Sequence, residues 1–125
     1  IFQGIKKDEI IGNFGLAMGG AAGDELDRLD YQLGTPRHAI HLASSTGHDN
    51  RYQQVIEDIL QVKDTQEYGG TANSNVRADM VYFETPRKGA VFSVGSISWC
   101  GSLSHNNYNN NVSQITENVL KNFLS

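Results

Sequence analysis

The run from Val94 to Asn118, VGSISWCGSLSHNNYNNNVSQITEN, constrains this chain more than any other stretch. It places one Trp, one Cys, one His and six Asn between a strand-like run and a helical pattern. Asn, Ser and Gly compete with regular backbone hydrogen bonding and favour turns and caps. Such a density of amides and hydroxyls predicts either a built polar site or a loop held together by its own hydrogen bonds.

With 125 residues, 38% of them hydrophobic, the chain can supply one core, so it reads as a single domain or part of one, residues 1–125. It opens on Ile1 without a signal-peptide pattern, which leads us to expect that it starts inside a longer polypeptide in the cytoplasm. The net charge of −4 and the scattered Lys and Arg argue against nucleic-acid binding. The single cysteine, Cys100, excludes an intrachain disulfide and a Cys-rich zinc cage. No apolar run reaches membrane-spanning length.

Residues 1–11 carry Ile5, Ile10 and Ile11 among charges and predict a short helix. Five glycines between Gly12 and Gly23 indicate loops or close backbone approach. His38 to Ala43 predicts a buried strand, followed by a polar loop through Asp49. Val55, Ile56, Ile59 and Leu60 share one stripe of a helix over Arg51–Val62, and Lys63–Ala78 reads as a long loop. Met80–Phe83 and Ala90–Val94 predict a hairpin closed by Glu84–Gly89. Ser113 is the expected N-cap of a last helix whose Ile115, Val119, Leu120 and Phe123 lie on one face. This order is that of an α/β fold, in which sites form at the C-terminal ends of strands.

The acids Asp24, Glu25 and Asp27 offer a general base or a metal ligand, or else a solvated helix start with Asp27 paired to Arg28. Cys100 and His105 have the chemistry of a thiolate–imidazole pair, but no strand-turn-helix elbow surrounds them, and a buried structural thiol is the expected reading. In a strand, His38 and His41 would face opposite sides. His48 is expected to fix its loop by a hydrogen bond. The glycines at 19–23 lack the Lys-Ser/Thr of a phosphate loop and the spacing of a dinucleotide fingerprint.

Three segments together carry a resemblance: the opening IFQGIKKDEII, then GGAAGDELDR within residues 12–48, and GSISWCGSLSHNNY within residues 76–120. With them the chain resembles the C-terminal part of the large (beta) subunit of N,N-dimethylformamidase and its relatives. The resemblance implies the C-terminal portion of a glutamine-amidotransferase-like (flavodoxin-like) three-layer α/β domain that includes the β-hairpin. It implies hydrolysis of the C–N bond of a small formamide to an amine and formate. It also implies an iron held by two tyrosines and a glutamate, with those ligands upstream of this chain and no metal ligand within it. A glutamate assisting the chemistry falls in GDELDR, where Glu25 matches, as a carrier of protons to or from the metal-bound water or the leaving amine. His105, Asn106 and Trp99 are the expected substrate contacts, with His105 and Asn106 orienting substrate or buttressing Glu25. The expected partners are the remainder of the large subunit and a small subunit, in a hetero- or homo-oligomer, with neither nucleic acid nor membrane. Alone, the chain is expected to be inactive. The alternatives are a non-catalytic module of the same fold and, last, a Cys100–His105 amidase.

Overall fold

In the computed structural model, which describes residues 1–55 and 68–125, three antiparallel strands and two α-helices form a small α/β domain. The strands β1 (Ile40–Ser45), β2 (Ala78–Glu84) and β3 (Ala90–Ser93) lie in the order β1-β2-β3. The β2–β3 hairpin forms where the sequence places it. Thr85 N–H donates to Gly89 O at 2.7 Å, and the turn residue Lys88 takes φ 63°. In the other pair Ile40 faces Tyr82 and Ser45 faces Ala78, with a register shift between His41 and Ala43.

The first strand begins at Ile40 rather than His38, and it is a sheet edge rather than a buried strand, with Ile40 55% exposed. β2 is central, and its Asp79, Met80 and Val81 are all buried.

The core joins Met80 of β2 to Ala21 of the glycine-rich segment, Trp99 of helix α1 (Ser98–Ser102), and Val112 and Ile115 of helix α2 (Asn111–Leu124). Val112 and Ile115 are wholly inaccessible. The apolar face of α2 therefore runs through Val112, Ile115 and Val119. Leu120 and Phe123, expected on it, stay 56% and 46% exposed.

The N-cap of α2 is Asn110 rather than Ser113. The Asn110 side chain accepts from Ser113 N–H at 2.9 Å while its own amide donates to the carbonyls of Leu103 and His105. Ser113 instead donates its hydroxyl to Leu103 O. Losing an N-cap side chain costs about 1 kcal/mol. Asn110→Ala is therefore expected to speed amide exchange at Ser113 about fivefold in the full-length subunit, as read by hydrogen-exchange mass spectrometry.

Other expectations change. Residues 1–11 make turns (Ile5 N–H to Phe2 O, Glu9 N–H to Lys6 O) instead of a helix. Gly4, at φ 86°, is outside the helical region. The acidic segment 24–30 starts no helix, because the N–H groups of Asp27 and Leu29 go to Gly95 O and the Asp79 carboxylate. The expected helix at 51–62 and loop at 63–78 fall partly outside the described residues. Within them, Gln53 bridges Gly69 antiparallel.

Candidate functional site

The Asn-rich run resolves as architecture. Asn106, Asn107 and Tyr108 occupy the left-handed region at φ 50°, 53° and 65°. Asparagine tolerates that conformation better than most residues. Asn111 accepts from Gly12 N–H at 3.0 Å and donates to Glu9 and to Ile10 O. Asn118 donates to the carbonyls of Ile1 and Gln3. Of the two readings of this run, the hydrogen-bonded loop is the one the side chains fulfil: these amides tie the N-terminal segment and the last helix into one body.

The segment 23–29 is held by the start of the same run. Gly23 N–H donates to Ser96 Oγ at 2.9 Å, and Ser96 Oγ donates back to Gly23 O. Four residues on, Asp27 N–H donates to Gly95 O at 2.8 Å, and Asp79 N–H donates to Asp27 O at 2.9 Å. Asp24, Glu25 and Leu26 arch between these anchors and make no hydrogen bond or ion pair among the described residues. Asp24 opens the arch at φ 64°.

Glu25 is exposed there and lines a polar cavity of about 680 Å³ with Asp24, Asp27, Arg28, Arg51 and Tyr52. The two arginines are already paired: Arg28 with Asp30, another residue of this lining, at 2.9 Å rather than with Asp27, and Arg51 with Asp49 at 2.7 Å. Three acids thus face this cavity without a paired cation among the described residues. A carboxylate left free in this way can accept or give a proton to a bound molecule.

Among the described residues, the other expected site residues make contacts that do not include Glu25. Trp99 is buried, donates its indole N–H to Thr116 Oγ1 at 3.0 Å, and lines a second, mostly apolar cleft of about 490 Å³ with Ile11, Ala21, Ala43 and Met80. His105 is exposed and stacks on Phe14, with ring centroids 4.2 Å apart. Asn106 donates to Asn109 O within its own turn. No hydrogen bond joins His105 or Asn106 to Glu25 among the described residues.

Cys100 is exposed on α1, not buried, and shares no hydrogen bond with His105 among the described residues. His48 does fix its loop, meeting Ser45 Oγ at 3.1 Å and Ser45 O at 3.2 Å.

A cluster that the sequence reading missed centres on Asp79. Its carboxylate has no exposed surface. It accepts from Ser44 Oγ (2.6 Å), Leu29 N–H (2.8 Å) and Arg77 Nε (2.8 Å), and it lies 3.2 Å from His41 Nε2. Burial alone would raise its pKa, but the Ser44, Leu29 and Arg77 contacts outweigh it and hold the group below its ordinary value. His, Ser and Asp meet here, but not as a hydrolytic triad. One ring nitrogen, Nε2, faces both Ser44 Oγ (2.8 Å) and the carboxylate, whereas a triad engages the two nitrogens separately. The Ser44 proton is committed to Asp79. The signal in the sequence was an Asp between Ala78 and Met80 at the apolar start of a strand, since Asp is almost never buried unless paired.

Among the described residues no group of three or more His, Cys, Asp or Glu side chains could hold a metal ion. No helix among them is long and apolar enough to cross a membrane.

Residues 1–111 match the family model described as N,N-dimethylformamidase beta subunit-like, C-terminal. The chain belongs to this family. It is 51% identical over 124 residues to the N,N-dimethylformamidase beta subunit of Paracoccus aminophilus, and 46% identical over 124 residues to that of an Alcaligenes species. Each alignment takes in 99% of this chain and 16% of the relative, so the chain spans about a sixth of the curated proteins it matches. The resemblance carried by GDELDR and GSISWC is thereby a family relationship. The dimethylformamidase-like family covers the Glu25 arch and the Gly95–Ser96 turn that anchors it, since both lie inside the matched residues.

Proposed function

We propose that this chain is the C-terminal segment of a dimethylformamidase-like amidohydrolase, and that it contributes Glu25 to cleavage of a formamide C–N bond. The observation that carries the reading is the 51% identity to a dimethylformamidase beta subunit across 99% of the chain. The Glu25 carboxylate, unpaired among the described residues, stands on an anchored arch and supports it.

In this reading Glu25 takes a proton from the attacking water as the new C–O bond forms at the formyl carbon. It returns the proton to the nitrogen as the C–N bond breaks, so that the amine leaves neutral and formic acid remains, which gives its own proton to solvent to become formate. Expulsion of an unprotonated amide anion is prohibitive, so a carboxyl group near the nitrogen meets a real chemical need. The iron implied by the resemblance is proposed for the remainder of the large subunit, and no step given to this chain passes through it. Trp99, His105 and Asn106 are employed in packing and turn formation, so the proposal rests on Glu25.

The glutamine-amidotransferase-like three-layer fold belongs to the same proposal. The edge of β1, unpaired among the described residues, would be continued by strands of the remaining large subunit, and a small subunit would complete the enzyme. An unpaired edge strand needs covering, which favours this arrangement over an isolated module.

The test is product analysis. The full-length large subunit with its partner is expected to release one formate per amine from N,N-dimethylformamide. An assembled enzyme that hydrolyses no formamide would leave the non-catalytic module as the better reading.

A further inference from the structure

The arch that carries Glu25 is anchored at both ends to one turn far away in sequence. At its N-terminal shoulder Ser96 Oγ closes a two-way clasp on Gly23, accepting from its N–H and donating to its C=O. Ser96 is 8% exposed, so the clasp is buried. At the other shoulder Gly95 O accepts from Asp27 N–H. Asp79 then grips the following residues: its N–H donates to Asp27 O, its carboxylate accepts from Leu29 N–H, and Arg77 Nη2 donates to Leu29 O at 3.1 Å.

The fit leaves no slack. A side chain at Gly95 would bring its Cβ to 2.6 Å from Asp27 O and 2.8 Å from Asp79 N, and Gly95 takes φ 67°, which favours glycine. At Gly23 a Cβ would come to 3.0 Å from Met18 Cβ and 3.3 Å from the hydroxyls of Ser98 and Tyr52. Only Asp24, Glu25 and Leu26 are left between the anchors, too few residues to wander.

We propose that Ser96, with Asp79 behind it, is a positioning residue for Glu25: the Gly95–Ser96 turn fixes the two ends of the 24–26 arch and so fixes where the Glu25 carboxylate can reach. This rests on the reading of Glu25 as the proton carrier. Ser96 touches no reacting atom and acts through the backbone of Gly23. Misplacing a catalytic group by about 1 Å can cost about 100-fold in rate.

The test uses Ser96→Ala, Glu25→Gln and the double variant in the full-length, assembled enzyme. Ser96→Ala is expected to lower kcat for N,N-dimethylformamide about 10- to 100-fold with KM unchanged. It is also expected to speed amide exchange across residues 24–27, and to cost nothing further in the Glu25→Gln background. Ser96→Thr, which keeps the hydroxyl, should recover most of the lost rate. A purely structural Ser96 would lower activity by the same factor with or without Glu25.

The positioning role is overturned by wild-type kcat in Ser96→Ala of an enzyme that Glu25→Gln inactivates, by fully multiplicative losses, or by unchanged exchange at 24–27. Full activity in Glu25→Gln overturns the reading beneath it and the positioning role together, so the two failures are told apart by the single Glu25 variant.

Discussion

Glu25→Gln in the assembled enzyme is expected to lower kcat for formamide hydrolysis by about 100- to 10,000-fold, the range a positioned general acid–base contributes. Gln keeps the shape of the side chain and loses its charge and its capacity to take and give a proton. Glu25 has no hydrogen bond or ion pair among the described residues, so the substitution breaks none of those contacts. The loss therefore falls on chemistry, with kcat reduced, KM nearly unchanged and the thermal midpoint of the subunit retained. An interaction made only in the transition state gives this signature, whereas loss of uniform binding would raise KM instead. Wild-type kcat in this variant would remove Glu25 from the mechanism.

Asp79→Ala is expected to cost about 3 kcal/mol of local stability, near the low end for breaking a buried charge pair. The substitution strips Leu29 N–H, the Ser44 hydroxyl and Arg77 of one shared acceptor. The effect stays at the low end because the Arg77 side chain is 24% exposed and can rehydrate. Native-state hydrogen exchange of the full-length subunit reads the cost as faster opening at residues 27–29 and 78–81. Asp79→Asn keeps an acceptor oxygen and loses less.

The pH dependence has a definite sign. The folded carboxyl titrates below its ordinary value of 3.8, so its contribution is complete above that value and disappears as the pH falls through the lower folded value. Wild type and Asp79→Asn should therefore differ most near neutrality and converge in acid. Equal exchange rates in the two proteins at neutral pH would show that the carboxylate charge does not hold the segment.

Several features were legible because their causes are local. The hairpin follows from two apolar runs separated by Thr85-Pro86-Arg87-Lys88-Gly89, and its turn closes on bonds among Thr85, Lys88 and Gly89. The last helix follows from apolar spacing at Ile115 and Val119, and its start was misplaced by three residues because both Asn110 and Ser113 can cap. The family match rests on motif residues that a sequence displays directly.

The Asn-rich run was the opposite case. Its composition announced that its polar groups were needed but not whether for substrate or for backbone. The answer depended on partners such as Gly12, 99 residues from Asn111, and Ile1, 117 residues from Asn118.

By itself, then, the amino-acid order settled the hairpin, the closing helix and the family, because turn chemistry, side-chain periodicity and motif residues act over a few neighbours. Only the tertiary structure decided that Asp79 is buried against Ser44, that Trp99 lines a different cavity from Glu25, and that residues 95 and 96 carry the 24–26 arch. Ser44 is 35 residues from Asp79 and Ser96 is 73 from Gly23, and at such separations packing and the need to satisfy buried polar atoms choose the partner.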